Sequence, residues 1–218
     1  MKIQANSRLV FAGDSVTDVG RAGQISEGFC DLGNGYPRVV AGWLGAIYPE
    51  LNIRVTNMGI SGNNSRDLLK RFETDVIALK PDWLSIMIGI NDVWRQFDIP
   101  FIPEDAVSIE EYEQNVDKML TAAKAVVKGG IVLMTPYYIE SNPEDAMRKT
   151  MDRYGAVCRK LAQKHQTLFI DTQELMLKLL RHRHSAFWAW DRVHPNWQGH
   201  TAIARRFLQE IDFDFNRD

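Results

Sequence analysis

Short apolar runs alternate with longer amphipathic stretches along the whole chain. Five of these runs are predicted to be strands, and residues 83–88 contain almost no polar residue, which is typical of a parallel strand that helices cover on both faces. Each run is followed by small or polar residues that end the strand. The predicted strands span residues 9–12, 53–57, 83–88, 131–134 and 167–171.

The stretches between the strands place apolar residues at helical spacing. Proline or glycine ends three of them, at Pro49, Pro81 and Gly129. The glycine-rich segment 20–35 is predicted to be a flexible rim, and the segment 93–103 an irregular connection. The predicted helices span residues 36–48, 67–79, 108–128, 144–164, 172–183 and 197–211.

Strands that alternate with helices predict a parallel sheet between two layers of helices. We therefore expect an α/β fold, a three-layer α/β/α sandwich with a five-stranded parallel sheet. A chain of 218 residues fits one domain and can bury a sizeable core. The domain is accordingly predicted to span residues 1–218.

Composition and charge narrow the possible partners and location. The formal net charge of −2 gives no reason to expect nucleic acid or an anionic membrane as a partner. No apolar run approaches membrane-spanning length. Residues 1–8 contain no apolar signal core, which predicts a cytoplasmic protein. The only cysteines, Cys30 and Cys158, are predicted to be free thiols.

The ends of the predicted strands carry the candidate chemistry. Because the carboxyl ends of parallel strands lie on one edge of a sheet, residues distant in sequence can meet there. Asp14 is predicted to be structural, accepting backbone N–H groups near the next residue. The residues expected at this edge are Ser15, Gly62, Asn91, Pro136 and Asp171.

Ser15 is a candidate nucleophile if a base can reach it. Asp191 and His194 lie three residues apart, just before a helix that Pro195 can start. The Asp191 carboxylate would hold one imidazole nitrogen and leave the other facing Ser15. Taken singly, an Asp-x-x-His pair is more often a surface turn or half a metal site, and Gly62 and Asn91 could be turn residues. The ordered set favours acyl transfer. The expected oxyanion donors are the backbone N–H groups of Ser15 and Gly62 and the side-chain amide of Asn91.

Four blocks of the sequence resemble those of the SGNH, or GDSL-type, hydrolases, and the match spans residues 8–200. The blocks are Gly13-Asp14-Ser15, Ile60-Ser61-Gly62-Asn63, Gly89-Ile90-Asn91-Asp92, and Asp191 to His194. Segments 59–63, 87–96 and 189–195 are similar to those of the intracellular acetyl-xylooligosaccharide esterases in that superfamily. The resemblance implies a flavodoxin-like sheet and removal of acetyl groups from short xylan fragments. It also implies a triad of Ser15, His194 and Asp191 with oxyanion donors Ser15, Gly62 and Asn91.

Aromatic and basic residues flank these blocks. Trp94, Arg95 and Trp190 are the candidate substrate-binding residues, and Trp190 is the best candidate for a pocket wall. Other interpretations stay open: the aromatic residues could pack in an interface, and Arg95 could orient nearby backbone or be a surface charge. The aromatic residues near 94–101 and 187–190 predict a homo-oligomer. No role is assigned to Trp188, His182 or His184.

The favoured function is a metal-independent serine esterase that acts on small acetylated oligosaccharides without a cofactor. One alternative is a thioesterase or lipase that acts on longer acyl chains. A second alternative is a non-catalytic sugar- or nucleotide-binding module on a flavodoxin-like fold. Such a module would need no contact between a nucleophile and a base, so that contact discriminates between the alternatives.

Overall fold

A six-stranded sheet forms the centre of the computed structural model, which describes residues 1–28 and 31–217. The strand order is β2-β3-β1-β4-β5-β6, and all strands except β2 run parallel. The five parallel strands confirm the predicted fold class. The antiparallel edge strand β2 was not predicted, because its two residues are too few to show alternation. The strands are β1 (Arg8–Gly13), β2 (Ser26–Glu27), β3 (Arg54–Gly59), β4 (Trp83–Met87), β5 (Gly130–Met134) and β6 (Leu168–Ile170).

Helices lie on both faces of the sheet. Single turns of 3-10 helix lie in the connections between these elements, at Pro49–Leu51, Ile77–Leu79 and Pro103–Asp105. Among the described residues, none of the helices combines the length and apolar character needed to cross a membrane. The α-helices are α1 (Ser15–Asp18), α2 (Tyr36–Ile47), α3 (Ser65–Asp75), α4 (Ile90–Asp98), α5 (Ile109–Val126), α6 (Ala146–His165), α7 (Thr172–Leu180), α8 (Ser185–Trp188) and α9 (Trp197–Glu210).

Two hydrophobic cores, one on each face of the sheet, hold these layers together. Successive side chains of a strand point to opposite faces, and β1 shows the consequence. Leu9 and Phe11 pack into the core that includes α2 and α9, whereas Val10 and Ala12 pack into the core that includes α3, α5 and α6. Every one of these β1 side chains is fully buried, as expected for a strand in the middle of three layers.

The segment after β4 differs from the prediction. It forms helix α4 over Ile90–Asp98 rather than an irregular connection, and the chain turns irregular only afterwards. Two of the four buried residues in the first turn of α4, Asn91 and Asp92, are polar. Ile90, Val93, Trp94 and Phe97 nevertheless recur at helical spacing, so the segment does carry a helical pattern. The prediction was wrong because it gave more weight to Pro100 and Pro103, which lie beyond the end of the helix.

One cysteine prediction can be compared with the structure. Cys158 is buried on α6 as a free thiol. Cys30 lies outside the described residues.

Gly59 lets helix α1 approach the carboxyl end of the sheet closely. A Cβ atom added at Gly59 would lie 2.4 Å from the backbone nitrogen of Asp18. The buried side chain of Asn57, on the same strand, donates to the carbonyl oxygens of Thr17 at 2.7 Å and Leu32 at 2.9 Å. The end of β3 thus fixes the position of α1, the helix that begins with Ser15.

We expect Gly59→Ala to lower the free energy of unfolding by about 1–3 kcal/mol or more, because the added methyl group meets backbone rather than a flexible side chain. Gly45→Ala is the matched control, since Gly45 is exposed on α2 with no atom within 4 Å of an added Cβ. Gly45→Ala should raise the free energy of unfolding by up to about 1 kcal/mol, because alanine has a higher helix propensity than glycine. Urea unfolding of both variants checks the prediction, and equal stability of Gly59→Ala and the parent chain would contradict it.

Candidate active site

Ser15 stands at the sharp exit from the central strand β1. Asp14 caps helix α1, and its Oδ1 accepts a hydrogen bond from the backbone N–H of Val16 at 3.0 Å. This confirms the structural role predicted for Asp14. The Oγ of Ser15 lies 2.7 Å from Nε2 of His194, which is hydrogen-bond distance. The sheet therefore brings the predicted nucleophile and base into contact.

Asp191 holds His194 from the other side of the imidazole. Its Oδ2 lies 2.6 Å from Nδ1 of His194, and its Oδ1 accepts from the backbone N–H groups of Val193 at 2.9 Å and His194 at 2.8 Å. A carboxylate accepts only, so Nδ1 carries the ring proton and Nε2 is free to accept from Ser15. Partial burial alone would raise the pKa of Asp191, but these hydrogen bonds outweigh it and lower the pKa. The carboxylate stays charged beside the histidine.

The segment after β5 clamps the turn that carries Asp191 and His194. Arg192, between them, has a left-handed φ of 63°, which is unfavourable for a residue other than glycine. Its carbonyl oxygen accepts from the backbone N–H of Ile139 at 2.9 Å, and its guanidinium lies 2.6 Å from Glu140. The buried Tyr137 hydroxyl donates to the Val193 carbonyl at 3.2 Å. These contacts hold the turn in its strained conformation.

Gly62 and Asn91 follow β3 and β4, the two strands that pair with β1. Gly62, in the loop after β3, has a φ of 84°, a conformation that glycine adopts without steric cost. The buried amide of Asn91, at the start of α4, donates from Nδ2 to the carbonyl oxygen of Asn63 at 2.9 Å. A cavity of about 580 Å³ brings these residues together with the serine and the histidine. Its walls include Ser15, Ser61, Gly62, Asn91, Trp94, Arg95, His194 and His200.

A partly buried arginine ties the loop after β3 to the central strand. Nε of Arg71 donates to the side-chain oxygen of Asn63 at 2.7 Å, and one of its terminal nitrogens donates to the carbonyl oxygen of Gly13 at 3.2 Å. On the other side of the loop, Asp18 accepts from both the backbone N–H and the hydroxyl of Ser61. The loop that presents Gly62 is thereby held against β1 and α1.

The candidate substrate-binding residues fall in two places. Trp94 and Arg95 line the cavity, and the Trp94 ring lies 5.8 Å from the His194 ring, centroid to centroid. Trp190 is 94% exposed at the surface next to Asp191. Its predicted part in a pocket wall stays a prediction.

Sequence reasoning assigned no function to His200, which the structure places in the cavity wall. Its imidazole is buried against Tyr36 on α2. Burial first, and then the neighbouring His194, lower the pKa of His200 to about 4, so the ring is neutral at neutral pH. The sequence indicated a place near the site only through the position of His200 on the helix that follows His194.

Two buried carboxyl groups lie beneath the site. Asp92, next to Asn91, accepts the backbone N–H of Ser65 with both oxygens, at 2.9 and 3.1 Å. Burial raises the pKa of Asp92 to about 7. Burial also raises the pKa of Asp14 to about 7, and the charge of Asp92 adds to that effect.

No cluster of three or more His, Cys, Asp or Glu side chains within residues 1–28 and 31–217 is arranged to hold a metal ion. The expected absence of a metal and of a cofactor stays a prediction.

Comparison with known proteins places this chain in a family. Residues 11–202 match the GDSL-like lipase/acylhydrolase family, so the chain belongs to that family. The chain is 54% identical to the acetylxylan esterase of Geobacillus stearothermophilus over 218 residues, which cover 100% of this chain and 99% of that protein.

Solved structures of related proteins superpose on this chain over nearly its whole length. A crystal structure of a catalytic mutant of Axe2, an acetylxylan esterase from Geobacillus stearothermophilus, has a TM-score of 0.98 with 53% identity and covers 100% of both chains. LAE5, described as an alpha/beta hydrolase enzyme from the metagenome of Lake Arreo in Spain, has a TM-score of 0.93 with 45% identity over 98% of both chains. The chain therefore has the fold of these hydrolases.

The raised pKa of Asp14 predicts a pH-dependent effect of Asp14→Asn. The usual aspartate pKa is about 3.9, so between about pH 4 and pH 7 the folded parent binds more protons at this site than the unfolded chain. This site therefore lowers the stability of the parent as the pH rises through that range. Asparagine does not titrate and still caps α1.

The stability of Asp14→Asn relative to the parent should therefore increase from about pH 5 to about pH 8. Urea unfolding of both proteins at the two pH values measures this difference. A difference that is constant or that falls with pH would contradict a raised pKa at Asp14.

Proposed function

We propose that this chain is a serine esterase that removes O-acetyl groups from short xylo-oligosaccharides or related acetylated sugars. The observation that carries the proposal is the continuous chain of hydrogen bonds from Ser15 through His194 to Asp191. A non-catalytic binding module has no need for this arrangement. A fold shared over the full chain with an acetylxylan esterase supports the choice of substrate.

The mechanism follows from the contacts of the three side chains. His194 accepts the Ser15 proton at Nε2 while Oγ attacks the acetyl carbonyl carbon. The ester bond to the sugar then breaks, and His194 gives the proton to the leaving sugar oxygen, which departs as a hydroxyl. In the second half, His194 takes a proton from water as the water oxygen attacks the acetyl-serine carbonyl carbon. The bond between Oγ and the acetyl group then breaks, His194 returns the proton to Ser15 Oγ, and acetate leaves. Asp191 stabilises the imidazolium that forms in each half.

When Oγ attacks, negative charge develops on the oxygen of the acetyl carbonyl, and hydrogen-bond donors near Ser15 are needed to stabilise it. The backbone N–H groups of Ser15 and Gly62 and the second N–H of the Asn91 amide are the proposed donors. Ser15, Gly62 and Asn91 line the same cavity, which supports this assignment.

Relatives give independent support for the three catalytic residues. Catalytic mutants of Axe2 carry the substitutions S15A, D191A and H194A. This chain has serine, aspartate and histidine at the same numbers, and its alignment with Axe2 covers both chains almost completely. The half-exposed side chains of His194 and Asp191 also leave room for a sugar leaving group at the mouth of the cavity.

We also propose that residues 1–218 form one domain and that the protein is a cytoplasmic homo-oligomer. The large exposed aromatic side chains of Phe101, Phe187, Trp190 and Trp197 support an interface with another copy. Trp94 and Trp190 remain the proposed contacts for the sugar. For Arg95, contact with the sugar and a role in orienting its neighbours are alternatives.

Ser15→Ala should lower kcat/KM for an aryl acetate by roughly 10⁴–10⁶ and leave the unfolding transition unchanged, because triad members act as a unit. Ser61→Ala is the matched control, since the Ser61 hydroxyl lines the same cavity but donates to Asp18. Its activity should stay within about tenfold of the parent, because no triad contact is lost. Retained activity in Ser15→Ala would remove the proposed mechanism.

The substrate class is tested by a series of aryl esters of increasing acyl length, together with acetylated xylobiose. We expect kcat/KM to be highest for the acetyl ester and acetate to be released from the sugar. Higher activity on long acyl chains, with no release of acetate from acetylated xylobiose, would favour a lipase or thioesterase instead.

Asn91→Ala should lower kcat by roughly 10²–10³ while KM changes little, because the donor acts on charge that develops in the transition state. Steady-state kinetics with an aryl acetate measures both constants. A higher KM at unchanged kcat would assign Asn91 to substrate binding.

A further inference from the structure

Arg95 contacts the proposed oxyanion donor Asn91 from the next turn of helix α4. A terminal guanidinium nitrogen of Arg95 donates to the side-chain oxygen of Asn91 at 3.3 Å. On its other side, Nδ2 of Asn91 donates to the carbonyl oxygen of Asn63 at 2.9 Å. Asn91 is only 2% exposed, so these contacts determine how its amide is oriented.

The two partners of the amide select the same orientation. A guanidinium can only donate, so it requires the oxygen of Asn91, whereas the Asn63 carbonyl can only accept, so it requires the nitrogen. An amide rotated by half a turn would place its oxygen against the carbonyl oxygen and its nitrogen against the guanidinium. The observed orientation leaves the second N–H of Nδ2 for the cavity.

The guanidinium itself is held in place from two directions. Arg95 forms an ion pair with Asp98 one turn further along α4. Its central carbon lies 5.1 Å from the centre of the Trp94 ring, at cation–π distance. The hydrogen-bonding nitrogen therefore stays beside Asn91, and a positive charge lies next to the group that would donate to the oxyanion.

We propose that Arg95 is a positioning residue that fixes the Asn91 amide with its N–H directed at the oxyanion. This inference rests on the proposed function, because it assigns Arg95 a role in the same oxyanion site. It differs from a substrate-binding role, in which the guanidinium would contact the sugar. The two roles differ in measurable ways, since a positioning residue acts on every ester and through Asn91 alone.

The test is a double-mutant cycle of Arg95→Met and Asn91→Ala, with kcat and KM measured on an aryl acetate and on acetylated xylobiose. Arg95→Met should lower kcat by roughly tenfold to a hundredfold on both substrates, less than loss of the donor itself. KM should stay within about twofold on the aryl acetate, because that substrate lacks the sugar. In the Asn91→Ala background, Arg95→Met should change kcat by less than about twofold.

Arg38→Met is the matched control. Arg38 donates to the side-chain oxygen of Asn34, four residues earlier, at 3.1 Å, and thus makes the same kind of contact on an exposed part of α2. Its kcat and KM should equal those of the parent. Thermal unfolding of all variants separates a loss of kcat from a loss of folded protein.

The outcomes separate this inference from the proposed function. Unchanged kcat in Arg95→Met, or equal losses with and without the Asn91 side chain, would overturn the positioning role while the esterase proposal stands. A higher KM for acetylated xylobiose alone, at unchanged kcat, would overturn it in favour of sugar binding. If Asn91→Ala itself leaves kcat unchanged, the proposed oxyanion site fails and the positioning role fails with it.

Discussion

The hydrogen bond between Ser15 and His194 joins residues that are 179 positions apart in the chain, and the site depends on it. Ser15 follows the strand at the centre of the sheet, and His194 precedes the last long helix. They meet because α9 packs with α2 on the same face of the sheet. The contact therefore depends on the parallel sheet and on the helix layer that contains α2 and α9.

Short polar contacts convert this general placement into a defined geometry. The turn with His194 is held by the segment after β5, and the loop with Gly62 is held by Arg71 and Asp18. The contacts of the Gly62 loop join the segments that follow β1 and β3, and those of the His194 turn join it to the segment that follows β5. Contacts with the rigid sheet in this way fix the positions of a few side-chain and backbone atoms. Preorganised catalysis requires such fixed positions.

Much of the fold and site could be predicted from the sequence, because the informative residues are local. Apolar runs ending in Ser15, Gly62 and Asn91 predicted both the parallel strands and the edge where the residues meet. The Asp191–His194 spacing predicted their contact, since three residues of a turn suffice to bring them together.

Helix α4 was missed although its apolar residues recur at helical spacing, because Pro100 and Pro103 just beyond its end indicated an irregular segment. The other missed features depend on tertiary structure. Strand β2 exists only because β3 offers it an edge. The burial of His200 is set by residues distant in sequence, which periodicity does not report.

Peptide mapping after treatment of the folded, active protein with a phosphonylating serine reagent tests the central claim most directly. The account predicts one modified residue, Ser15, with loss of activity in proportion to its modification and no labelling of Ser15 in His194→Ala. Complete inactivation with the label on a different residue, or full activity after Ser15 is modified, would contradict it.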